Sequence, residues 1–105
     1  MDRKTTFEWR IEDLPRMYGM WVMRSIIFVR LVKADAPRPA IAKQRSLLRK
    51  IETEIEHVLR KGHLSKRQQE NILNCEKIRQ EIMQRIIQDS YLSQYNMYSC
   101  KVNSN

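Results

Sequence analysis

Two glycines and three prolines in 105 residues are few. An all-β chain, which turns tightly every several residues, needs more of both. Cysteine is as rare: Cys75 and Cys100 stand alone, too few for a disulfide scaffold and without zinc-ligand spacing. They read as free thiols of an intracellular, reducing compartment, cytoplasm or nucleus, with the mitochondrion left open. The opening MDRKTTFEWR is charged and has no apolar stretch of the secretory-signal kind. The longest hydrophobic stretch, Met17 to Val32, is interrupted by Arg24 and Arg30. It falls short of the ~20 residues a bilayer needs, and a mid-span arginine costs about 2.5–3.5 kcal/mol on insertion. A membrane partner is therefore not expected.

Catalytic signatures are missing as well. The chain has no phosphate-binding G-x-x-x-x-G-K-[ST], no dinucleotide G-x-G-x-x-G and no nucleophile-elbow G-x-S-x-G. Its two histidines are His57 and His63. Glu54 and His57 make the E-x-x-H unit of carboxylate-bridged metal bundles, but such a site needs a second copy and more inward carboxylates. Here the pair falls off the apolar stripe and should face solvent, and His63 sits in a turn beside Gly62. No metal, cofactor, small-molecule substrate or catalysis is expected.

What the chain does have is helical periodicity. Charged residues are 30% and hydrophobic ones 42%, a balance that supports one folded domain over 1–105. Residues 1–13 form a polar arm, with Phe7, Trp9 and Ile11 alternating as a short extended segment would. Asp13 can cap a first helix over 14–33, with Pro15 tolerated in its first turn. That helix is apolar around most of its circumference. Its β-branched cluster Ile26, Ile27 and Val29 leaves a strand over 25–32 as the competing reading. Met17, Met20 and Met23 read as adaptable core filler. Ala34 to Pro39 breaks the chain, and Pro39 suits the first turn of the next helix.

The second helix, 40–61, carries Ile41, Gln44, Leu48, Ile51, Ile55 and Val58 at spacings of 3, 4, 3, 4 and 3, a heptad seam with one polar member. Gly62 is placed to end it as a left-handed residue. Ser65-Lys66-Arg67-Gln68 fits a capping box opening a third helix over 65–92, with Ile72, Cys75, Ile78, Ile82 and Ile86 on one face. The connection is short, so the reading is an all-α fold of three helices whose last two form an antiparallel hairpin. Residues 93–105 are a polar tail.

Two helices with wide apolar stripes cannot offset the entropy of ordering them, about 1–2 kcal/mol per residue, without a further layer. The helix over 14–33 supplies that layer, yet it is apolar on more than one side. Completion by another chain, the same or different, is therefore expected. The candidate interface is Trp21, Phe28, Leu48, Ile51, Ile55, Val58, Ile78, Ile82 and Ile86. On this reading the chain is a helical assembly or adaptor subunit, a coiled-coil-like oligomer or protein-binding module.

The formal charge is +8, which favours acidic partners. It is concentrated: residues 1–32 are net +2, 33–67 net +6 and 68–105 neutral. Arg38, Lys43, Arg45, Arg49 and Lys50 form one cluster, and Arg60, Lys61, Lys66 and Arg67 surround the turn. Glu56–Arg60 and Glu81–Arg85 have the spacing of solubilising helix pairs. The clusters make a nucleic-acid-binding module the alternative function. Residues 33–67 contain no aromatic, so duplex or structured RNA or DNA held by its backbone fits better than stacked single strands.

Overall fold

The computed structural model describes residues 8–89, 92, 94 and 95. Residues 1–7 of the expected arm, with Phe7, and the expected tail apart from 94 and 95, with Cys100, lie outside these. The fold is all-α. A 3-10 turn, Ile11–Asp13, leads into α1 (Leu14–Lys33), α2 (Arg38–Lys61) and α3 (Lys66–Gln88). Among the described residues there is no strand, so 25–32 is helix. Its branched side chains are tolerated because Phe28 and Val32 on the same segment are buried, and packing outweighs a weak local preference.

The helix ends differ in chemistry from the sequence expectation. The Asp13 carboxylate accepts the Arg10 N–H at 2.9 Å, closing the 3-10 turn, and makes no side-chain cap on α1. This replaces the extended arm expected through Ile11. At the far end of α1, Ala36 N–H donates to Leu31 O at 2.9 Å and Asp35 N–H to Val32 O at 3.1 Å. These are the paired bonds of a Schellman stop, with Asp35 at φ 57° as its left-handed residue.

Gly62 is not left-handed: its φ is −91° and ψ 162°. It is needed for space instead. A Cβ there would collide with Ile11 Cδ1 and lie 2.9 Å from the Val58 carbonyl oxygen. The capping box on α3 is formed as expected, with Gln68 N–H donating to Ser65 Oγ and Ser65 N–H to Gln68 Oε1. Helix α3 stops at Gln88, short of Leu92, because Asp89 turns extended and its carboxylate accepts the Leu92 N–H at 3.0 Å.

The core sits along α1. Leu14, Met17, Trp21, Phe28, Ile41, Leu48, Ile55 and Ile86 are fully buried, and Ile51, Val58, Ile72 and Leu92 nearly so. Close backbone approach is between α1 and α2 and, less extensively, between α1 and α3. Helices α2 and α3 do not approach each other comparably. Helix α1 packs against both of the others and is the central element.

Candidate functional site

The predicted interface divides in two. Trp21, Phe28, Leu48, Ile51, Ile55, Val58 and Ile86 are buried in the chain's own core, where they hold the three helices together. Ile82 is half-buried and Ile78 is 51% exposed. The heptad seam on α2 is satisfied internally by α1, which is why its residues are core and not the expected interface.

Partly buried polar groups beside this core form a network that joins all three helices. Trp21 Nε1 donates to Glu52 Oε2 at 2.9 Å. Tyr18 Oη donates to Glu76 Oε2. Arg79 lies between the two carboxylates, 3.4 Å from Glu52 and 3.4 Å from Glu76. Its guanidinium also stands 5.8 Å from the centre of the Trp21 ring, within cation–π range. Burial, reinforced by the Glu76 carboxylate, pushes the Tyr18 phenol well above its ordinary value. Burial first and Glu76 second raise the Cys75 thiol, which makes it a poor nucleophile. Sequence reasoning missed this network. The usable signal is that a tryptophan and a tyrosine on the buried face of α1 need acceptors for their polar tips.

Glu54, expected to face solvent, is half-buried and accepts from Trp9 Nε1 at 2.8 Å, fastening the N-terminal segment to α2. His57 is exposed. Among the described residues no cluster of three or more His, Cys, Asp or Glu could hold a metal ion, and no helix is long and apolar enough to cross a membrane.

The basic residues also separate. Arg45 donates to the Tyr95 carbonyl at 2.6 Å, and Arg38 stacks 5.5 Å from the centre of the Tyr95 ring. Tyr95 in turn meets Phe28 edge-on at 6.2 Å. Those two arginines therefore fasten residue 95 to the body of the fold. Arg49 is 4.0 Å from Glu52. Lys43, Lys50, Arg60, Lys61, Lys66 and Arg67 are exposed. Neither Glu56–Arg60 nor Glu81–Arg85 closes as an ion pair among the described residues.

Among the described residues a groove is left open between α1 and α3, with Leu92 also lining it. Val22, Ile26 and Val29 line it from α1, Ile82 and Ile86 from α3, and its volume is about 510 Å³. Ile26 is 46% exposed on its lip, and Met23 is 60% exposed on the same helix. Ser25 lies at its floor, 1% exposed, with its hydroxyl unpartnered among the described residues. Lys33 and Asp89 pair across its end at 3.2 Å. No family model, no curated protein and no solved structure matches this chain.

Proposed function

We propose that the chain is a non-enzymatic helical assembly or adaptor subunit that docks a helix of another protein in the α1–α3 groove. The observation that supports this reading is the second face of α1. Val22, Ile26 and Val29 recur at spacings of 4 and 3 and line a groove with Ile82 and Ile86 of α3 and Leu92 beyond it, and Ile26 is 46% exposed there. Apolar ridges at helical spacing on two neighbouring helices fit a third helix. The volume lies within the ordinary range for a binding cleft.

The test is a titration of the isotope-labelled chain with a short leucine-striped amphipathic peptide bearing neutral flanks. Saturable amide shifts are expected over 22–33 and 78–89. They disappear in the double variant Ile26→Asp, Ile82→Asp, whose far-UV circular dichroism stays helical. Shifts that ignore those two positions would overturn the assigned face.

A second reading rests on α2. Lys43, Lys50 and Lys61 are exposed on one stripe of the helix, with Arg60 beside it, and no carboxylate pairs with them among the described residues. A phosphate backbone suits such a stripe. If duplex RNA or DNA binds there, Lys43→Glu with Lys50→Glu weakens binding across all sequences and lowers the salt slope by about 2. An unchanged slope sends this reading away. Arg45 is unsuitable for that experiment because its loss also frees Tyr95.

A further inference from the structure

We infer that the helix taken up by the α1–α3 groove belongs to a different protein and carries acidic flanks. This rests on the docking reading above and adds the chemistry of the partner. The apolar floor runs from Val22 to Val29 and the charged rim continues to Lys33, a length of about 16 Å or three helical turns. Four charged side chains line the groove: Arg30, Lys33, Arg85 and Asp89. Asp89 is taken by Lys33 at 3.2 Å. Arg30 and Arg85 are exposed, one on each wall, and neither joins an ion pair among the described residues. The groove therefore offers an apolar floor between two free guanidinium groups. Glu81 stands beyond it, beside Ile78.

A helix whose apolar stripe is bordered by Glu or Asp meets both demands, since each arginine can take a carboxylate in forked geometry. A second copy of this chain does not. Both copies would bring a net charge of +8 and the same basic rim to one interface, and like charges set face to face oppose docking. A polyanion such as nucleic acid could satisfy the arginines but has nothing to bury against Val22, Ile26 and Ile82.

The experiment compares two peptides with the same leucine stripe, one flanked by Glu and one by Lys, by fluorescence anisotropy on the full chain. The Glu-flanked peptide is expected to bind about tenfold tighter or better. Arg30→Glu with Arg85→Glu reverses the preference, while Lys43→Glu with Lys50→Glu on α2 leaves it intact. Ile26→Asp with Ile82→Asp abolishes binding of both peptides. Equal binding of the two peptides, or loss of preference through the α2 variant, overturns the acidic-flank inference while leaving the groove in place. Binding of neither, or binding indifferent to Ile26 and Ile82, brings down the docking reading itself. A solution mass that doubles in the wild type and returns to one chain in the Ile26→Asp, Ile82→Asp variant assigns the groove to a second copy and overturns the inference.

Discussion

Tyr18 joins burial to charge in one side chain. Its ring is 4% exposed and its hydroxyl donates to Glu76, so the folded chain holds the phenol neutral, with its pKa above the unfolded value of about 10. The stability this contributes is complete below that unfolded value and is lost as pH rises through the folded one. Tyr18→Phe should therefore flatten the alkaline decline of melting temperature above about pH 10. At neutral pH it should cost about 1.5–3 kcal/mol for the lost hydrogen bond to a carboxylate. Thermal melts of both proteins across that range check the sign. A spectrophotometric titration should lose its late phenolate step in the variant.

At the scale of the element, Asp35 and Gly62 make a paired test of what glycine does in this fold. The left-handed position is Asp35, at φ 57°, where a side chain carries a steric cost that glycine lacks. Asp35→Gly should raise stability by several tenths to about 1 kcal/mol. Gly62→Ala should lower it by about 1–3 kcal/mol, because a Cβ would strike Ile11 and the Val58 carbonyl. Denaturant melts decide both, and a destabilised Asp35→Gly together with a neutral Gly62→Ala would refute the assignment.

The same pair shows what could be read from the chain. The stops themselves were legible, since Pro37, Pro39, Gly62 and the Ser65–Gln68 box bound the observed helices to within a few residues. So was the buried seam Leu48, Ile51, Ile55 and Val58. The conformation of each stop was not legible, because Gly62 answers to Ile11, 51 positions away in sequence. The groove was half legible: the surplus apolar side of α1 is plain in Val22, Ile26 and Val29. Which residues flank it depends on where α3 crosses α1, and no local pattern encodes that crossing.

For the whole molecule the consequence is a hierarchy. Helices α1 and α2 share the larger contact, and α3 joins mainly through α1. Arg79 bonds Glu52 of α2 and Glu76 of its own helix while lying over Trp21 of α1. Its side chain is 13% exposed, as is that of Glu52, so the bridge is shielded from screening that weakens surface pairs. Arg79→Met keeps much of the stem's apolar packing and removes the charge. Glu52 then retains Trp21 as a donor and the exposed Arg49 at 4.0 Å, and Glu76 retains Tyr18, but both lose the more deeply shielded guanidinium between them. Breaking one side of such a pair costs about 3 kcal/mol. Because the bridge joins α3 to the other two helices, the loss should appear first as local opening. Native-state hydrogen exchange is expected to quicken in the α3 amides over 70–86 while α1 and α2 keep their protection. A uniform loss across all three helices would show that α3 is no separable layer. The groove between it and α1 would then be as rigid as the core beneath it.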